Sequence, residues 1–409
     1  MRLFSDHHLQ ALDPAERAWV EQLRTLCREE IGPRAAAVGR EDVFAWDNFR
    51  LLCEAGIVGT AFPRACGGSE ARMLLRIRLI EELGRVCSAS ASLITGTDLS
   101  TRAIVAGASE VFKQALLPGL CSGALQAAFA LSEPAAGSDV RGITTTVVRD
   151  GEAYRLNGRK KYITRANTAD WLVVVARLVD DAAAFARDGP LVAVLVASSS
   201  PGVAISAPVP KLSWYGVPIC DIAFSDVSVP LTQQLGAVGD GFALAQDALL
   251  RARIGHAAMA LGRAIGALEI AAQYCNDRDL FGERLGSKQG VQWMLADLVT
   301  QVEASRLLVA HAAASYDRGD ADAGVTASMA KLHATDLCMR VVTDALQLTG
   351  GRGFLQSFPL ERFFRDAKLN QVGEGSSEVH KTVIGRHIVR RAREAERNPC
   401  LDAGSTTDY

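Results

Sequence analysis

Glu374 lies between two glycines in QVGEGSSEVH, residues 371–380, a short polar loop that leads into a helical segment. Glycine neighbours leave a carboxylate little steric cover, so another molecule can approach it closely. Such a group is either a positioned base or an exposed loop charge. Four other stretches carry residue types suited to holding a ligand. LSEPAAGSDVRG, residues 131–142, follows the apolar run QAAFA and offers the hydroxyls of Ser132 and Ser138 beside Gly137. Successive amides in such a turn can cradle phosphate or a ring edge, or they form a plain turn. In KKYITRANTADW, residues 160–171, alternation puts Tyr162 and Thr164 on one face. An aromatic plane and a hydroxyl there can flank a flat heterocycle, or belong to an ordinary β surface. DRDLFG, residues 277–282, ends a long helical stretch. Its Arg278 can grip phosphate bidentately or satisfy helix-end carbonyls. QLTGGRGFLQSFPLERFFRDAK, residues 347–368, has three glycines in four residues. That break suits either close approach to a ribose or phosphate, or a sharp turn between helices.

These segments need elements to position them. The chain has 409 residues, 49% apolar and 22% charged, with a formal charge of -2. It can bury a sizeable core, and it is neither a disordered chain nor a disulfide-stapled mini-protein. No basic field points to nucleic acid, and no stretch of eighteen residues free of both charges and turn formers points to a membrane span. The first residues lack an apolar signal core, and the last are no targeting tail. Nine scattered cysteines without a CxxC pair fit free thiols in a reducing cytoplasm.

Residues 1–124 read as helical, with segments over 14–37, 47–56, 72–86, 90–107 and 110–121. Short β-branched runs fill residues 125–236; Asp150-Gly151 and Asn157-Gly158 divide ITTTVVRDGEAYRLNGRKKYIT into three strands. Residues 237–397 return to long helices over 242–277, 289–318, 322–349 and 376–397, which implies a bundle. Residues 398–409 read as a tail. The fold class is α+β: an N-terminal helical domain, a central β-barrel or sandwich, and a C-terminal four-helix bundle.

Taken in order, the five motifs resemble the acyl-CoA dehydrogenase family of flavoproteins over roughly residues 10–395. LSEPAAGSD is similar to one family signature; QLTGGRGF with Arg362 and Asp366 is similar to the other. The resemblance implies FAD in an extended form between the β domain and the bundle, completed by a neighbouring subunit. It implies that Phe129, Leu131 and Ser132 meet the flavin edge, and that Ser138 lies by the pyrophosphate and thioester arm. Tyr162 takes the usual Trp position, with Ile163 and then Thr164 near N5. Arg278 and Phe281 would reach the partner's FAD, and Lys288 and Gln289 match another cofactor-contacting pair. Gln347 through Gly350 and Gly351 would contact its adenosine and pyrophosphate end, and Ser376 to Glu378 the adenine half. Glu374 matches the catalytic base in the larger branch of the family. Ser138, Arg253, Gly373 and Gly375 would face the substrate.

Several positions depart from the family. Ser357 replaces an acidic or Asn residue, and Gly373 a bulky one. Leu250 replaces an Asp that helps hold the pantetheine arm in relatives, while Arg253 keeps its place. The implied activity is α,β-dehydrogenation of an acyl thioester on CoA or on an acyl carrier protein. Gly373 would open space for a branched or bulky acyl group. The family's default electron acceptor is an electron-transfer flavoprotein. Its commonest assembly is a tetramer, and a dimer is the least that completes the site. An oxygen-using relative (acyl-CoA oxidase or flavin monooxygenase) and a non-catalytic FAD-binding protein are the alternatives.

Overall fold

Asp13 begins the first helix because its carboxylate accepts from Glu16 N–H at 2.8 Å while Glu16 accepts from Asp13 N–H at 3.0 Å. The computed structural model describes residues 3–180 and 189–394. Six α-helices come first: α1 (Pro14–Leu26), α2 (Gly32–Val38), α3 (Trp46–Glu54), α4 (Met73–Gly84), α5 (Ser88–Gly107) and α6 (Glu110–Ser122). The apolar stretch expected as one helix over 14–37 is two, joined by a π turn at Cys27–Ile31. Pro33 follows in the first turn of α2, and its ring nitrogen cannot donate the i→i−4 bond.

Eight strands follow: β1 (Ala127–Ala130), β2 (Thr146–Asp150), β3 (Ala153–Thr164), β4 (Trp171–Val179), β5 (Leu191–Ala197), β6 (Val203–Ile205), β7 (Ile219–Pro230) and β8 (Gln234–Leu235). They form one mixed sheet, β6-β7-β3-β2-β4-β5-β8, with β1 also parallel to β4. β4 and β5 alternate between two cores. Val174 and Val194 pack with Ile163 and Ile222; Val173, Val175 and Leu195 pack against helices. Burial on both faces explains the unbroken apolar runs.

One expected hairpin is absent. Asn157-Gly158 lies inside β3, where the β3–β7 register shifts between Leu156 and Gly158. Gly158 has φ 145°, and a Cβ there would lie 2.6 Å from Thr145 Cα. The glycine serves a close crossing, not a turn, so the segment is two strands rather than three.

The C-terminal part holds α7 (Gly241–Asp277), a small hairpin of β9 (Asp279–Leu280) and β10 (Glu283–Arg284), then α8 (Gln289–Arg318), α9 (Ala323–Leu348), α10 (Leu360–Val372) and α11 (Ser377–Glu394). α10 is an additional helix beyond the four long stretches read from sequence. Its polar buried residues, Arg362, Asp366 and Asn370, interrupt the apolar period. α4 crosses α7 backbone to backbone: a Cβ on Gly262 would lie 2.1 Å from Glu81 O. This close crossing docks the N-terminal helices on the bundle. Arg78 and Arg306 both pair with buried Glu81, at 2.9 and 3.0 Å, tying α4 to α8.

Among the described residues no helix is long and apolar enough to cross a membrane. Eight of the cysteines lie there, six of them buried.

Candidate active site

Glu374 stands on the short turn between α10 and α11, with φ 56°, and Gly375 follows with φ 97°. A left-handed Glu is strained, so its surroundings must hold it there. α9 does so. Lys331 Nζ donates to Gly375 O at 2.6 Å. Asp336 Oδ1 accepts from Gln371 Nε2 at 2.7 Å and from Ser377 Oγ at 2.9 Å, clamping both ends of the turn. Gly373 N–H donates to Leu369 O at 2.8 Å, closing α10.

Burial pushes the Glu374 carboxyl above its ordinary range, and the cations Arg253 and Lys331 pull it partly back. Burial also drives Lys331 down to about 8, against Glu374 and Asp336, which favour its charge. Arg253, predicted from sequence, faces Glu374 electrostatically, and its buried Nε has no hydrogen-bond partner. Leu250, one turn earlier, is partly buried against the core.

Two residues here carry no functional signal in the sequence. Lys331 occupies the buried face of α9, in line with Ala327, Ala334 and Cys338. His256 sits in the Ala-rich middle of α7, and its Nε2 is 4.0 Å from Glu374 Oε1. A polar residue on an apolar helix face is the only available sign of either. His380, read from sequence as a helix-face residue, is fully buried, with neither ring nitrogen hydrogen-bonded.

The second group forms where β1 and β3 end together. Lys161 N–H donates to Ser132 O at 2.8 Å, setting Leu131 and Ser132 beside the Tyr162 strand. Buried Lys160 reaches Leu131 O at 2.9 Å and Glu133 Oε1 at 2.8 Å. Tyr162 is 60% exposed with φ 61°, in a bulge where the β3–β7 register shifts again. From Tyr162 to Thr164 the alternation holds: exposed, buried, half-buried. Ile163 points into the β core, so it offers the surface only its backbone. Phe129 is half-buried, and Ser138 is exposed in the turn beyond. An open aromatic beside hydroxyls and backbone amides suits one face of a flat ring.

The third group lines a cleft of about 1420 Å³ between α7, the start of α10 and the glycine turn. Arg278, Gln347, Gly350 and Gly351 all border it; Glu374 does not. A guanidinium, an amide side chain and bare glycine backbone suit a phosphate and its nucleoside. Phe281 lies outside the cleft, at the tip of the β9–β10 hairpin, 90% exposed with φ 55°. Lys288 pairs with Glu283, and Gln289 opens α8 in solvent. Ser376 and Glu378 sit at the start of α11, Glu378 exposed. One chain therefore brings most of the predicted residues into three separate groups and leaves Phe281, Lys288 and Gln289 outside them.

Ionisation couples this region to folding. His256 and His380 are both pushed down to about 3, first by burial and then by Lys331. Their folded values lie below the unfolded 6.5. Below pH 6.5 the unfolded chain therefore binds protons the folded one refuses. Glu81 and Glu133 add a second stage. Burial raises each, but Arg306 and Arg78 in one case and Lys160 in the other outweigh it and hold them near 2. Their stabilisation is present above 4.5 and lost as pH falls toward 2. Glu374, raised, acts in the opposite sense. The expected result is denaturant stability that falls below pH 6.5 with a slope on the order of 1 kcal/mol per pH unit. His380→Gln should flatten the upper stage; an unchanged slope in that variant would remove His380 from this account.

The fold and these groups define a three-part flavoprotein dehydrogenase architecture, and comparison with known proteins agrees. The models of the acyl-CoA dehydrogenase N-terminal, middle and C-terminal domains match residues 13–124, 128–227 and 239–389. The chain is similar to the acryloyl-CoA reductase (NADH) of Anaerotignum propionicum, 36% identical over 91% of this chain and 94% of that one. It is 35% identical to an acyl-CoA dehydrogenase of Bacillus subtilis, over 90% and 96%. The solved butyryl-CoA dehydrogenase from Megasphaera elsdenii superposes with TM-score 0.88 at 31% identity, covering 93% and 99%. The chain belongs to the acyl-CoA dehydrogenase family and is an FAD-dependent oxidoreductase acting on CH–CH bonds.

Proposed function

We propose that this enzyme oxidises a saturated acyl thioester between its α and β carbons, with Glu374 as the base. The observation that carries this reading is the turn itself: a carboxylate in strained backbone, flanked by glycines and raised by burial. An α C–H next to a thioester is a weak acid, so its removal needs a base tuned upward and held still. FAD supplies the acceptor for the β hydrogen and its electron pair. The protein's own residues set the geometry. Lys331 and Asp336 fix the turn, and Arg253 and Lys331 offset part of the burial effect on the carboxyl. The backbone N–H of Glu374 is assigned to the thioester oxygen, on which charge develops.

Leu131, Ser132, Tyr162 and Thr164 are assigned to the flavin ring. Arg278 and Gln347 to Gly351 are assigned to the adenosine end of FAD held by a second copy, which makes the enzyme a homo-oligomer. Exposed Phe281 and Phe354 near that cleft support the assignment, since one chain leaves both uncovered. An electron-transfer flavoprotein is assigned as the oxidant of the reduced enzyme.

Two carriers can bring the thioester. CoA is the first reading. Leu250, packed on the core where a carboxylate would steer the pantetheine arm, favours an acyl carrier protein as the second. Anaerobic mixing with one acyl group on each carrier tests both through flavin absorbance. Bleaching by the CoA form supports the first reading. Bleaching by the carrier form alone supports the second. A flavin left oxidised by a panel of acyl groups on both carriers would overturn the dehydrogenase reading.

A further inference from the structure

We propose that His256 is a positioning residue for Glu374: Arg263 and Asn370 hold its imidazole with the proton on Nε2, which presents a hydrogen-bond donor to the carboxylate. The argument begins at Arg263, fully buried in α7. A guanidinium only donates, so the Asn370 atom it meets is the oxygen Oδ1. Arg263 also donates to Asp366 O at 3.1 Å and to Ser88 Oγ at 2.9 Å, so it cannot turn away. With Oδ1 committed, Asn370 directs its NH₂ at His256 Nδ1, 3.3 Å away. His256 Nδ1 must then be the acceptor, and the ring proton resides on Nε2. Nε2 lies 4.0 Å from Glu374 Oε1.

Two further contacts fix the ring. Trp214, from the segment between β6 and β7, stacks on it at 5.7 Å and 23°. Trp214 is itself held by Asp366, through its N–H at 3.0 Å and its Nε1–H at 2.8 Å. Gly373 leaves the space open: a Cβ there would come within 3.7 Å of His256 Cε1. The residue before the base has no side chain, and the imidazole lies where one would point.

The charged and titratable groups facing the pair come from every neighbouring element. They are Arg253 and Arg263 on α7, Lys331 on α9 with Asp336 behind it, Asp366 on α10 and His380 on α11. Burial, Lys331 and Arg263 keep His256 neutral through the working range, pushed down to about 3. It therefore acts as a dipolar donor and not as a cation. Closing the gap by about 1 Å makes the bond. A donor on the ionised form lowers a carboxyl's proton affinity, so His256 offsets part of the burial effect on Glu374.

This inference rests on the assignment of Glu374 as base, and its test separates the two. The first readout needs no turnover: an infrared pH titration of the Glu374 carboxyl band in the FAD-loaded enzyme, isolated by subtracting Glu374→Gln. In His256→Leu the midpoint should rise by about one pH unit. In His256→Gln, whose amide donor reaches the Nε2 position, it should return most of the way. The second readout is the acid limb of flavin reduction by an acyl thioester, which should move by the same amount in the same variants. The rate on the alkaline plateau should stay within about threefold. An infrared midpoint unchanged in His256→Leu, or raised equally in His256→Gln, would overturn the proposal whatever the flavin does. A shifted midpoint in an enzyme no thioester reduces would sustain His256 and sink the dehydrogenase reading. Asn370→Leu supplies the relay control: a smaller upward shift is expected, and none would break the link from Arg263.

Discussion

Glu374→Gln is expected to keep FAD and the fold while flavin reduction by an acyl thioester falls by about 10²–10⁴-fold, the usual worth of a general base. The carboxamide is isosteric, so the turn should survive. Its anchors do not use the carboxylate: Lys331 bonds Gly375 O, and Asp336 bonds Gln371 and Ser377. Removing a carboxylate raised by burial also removes a desolvation cost, so denaturant stability near neutral pH should hold or rise slightly. What the amide cannot do is accept the α proton. The check is stopped-flow bleaching of the purified yellow variant under anaerobic conditions, beside its equilibrium affinity for the same thioester. Unchanged affinity with lost reduction places the defect in the chemical step. Bleaching at the wild-type rate would take the base away from Glu374.

Lys160→Met should produce the largest loss of stability, about 3–5 kcal/mol, and with it loss of bound FAD. Lys160 and Glu133 form a pair whose side chains are 0% and 2% exposed, at 2.8 Å. Burial pushes Lys160 down to about 8 even with Glu133 beside it. Glu133 in turn holds Thr144 N–H at 2.6 Å and Thr145 N–H at 3.0 Å. The pair thus cross-links the 131–142 turn, the segment just before β2 and the end of β3, where Leu131, Ser132 and Tyr162 meet. Removing the cation leaves a buried carboxylate unpaired and frees Leu131 O. Adding Glu133→Gln to Lys160→Met should recover much of the stability, because the uncompensated charge is then gone. Urea unfolding of the apo-forms and the flavin-to-protein ratio on purification measure both effects. A loss under about 1 kcal/mol with full FAD content would show that the pair is not what holds the turn.

The two experiments address different parts of the enzyme. In the proposed reaction Glu374 acts on substrate from a turn fixed by α9, and Lys160 shapes the surface assigned to the flavin from inside the sheet. The first should leave the spectrum intact and abolish its response. The second should remove the spectrum itself.

Most of the architecture is legible in the amino-acid order. Helical periodicity before residue 124, short β-branched runs after it and long helices from residue 241 each follow from local apolar spacing. The five ligand-facing motifs are readable because glycine, serine and a lone acid cluster where backbone must approach something. Asn157-Gly158 misleads for a physical reason. The same dipeptide serves a tight turn or a close crossing, and only the position of Thr145 across the sheet selects between them. α10 escapes the apolar pattern because Arg362, Asp366 and Asn370 break it, and their partners lie on Val86, Trp214 and α7.

The site shows the same division. Local sequence carries the candidate base, its glycine neighbours and the motifs that mark the family. Tertiary structure decides what surrounds that carboxylate. Lys331 and His256 lie 43 and 118 positions before Glu374 in the chain. Nothing local marks either as more than a polar residue on an apolar helix. α7 and α9 must pack before a cation and a neutral imidazole converge on one carboxylate, and only that packing strips enough water to make their charges and dipoles count. A sequence states which groups are present. Their proton affinities depend on distance and burial, which exist only once the helices have met.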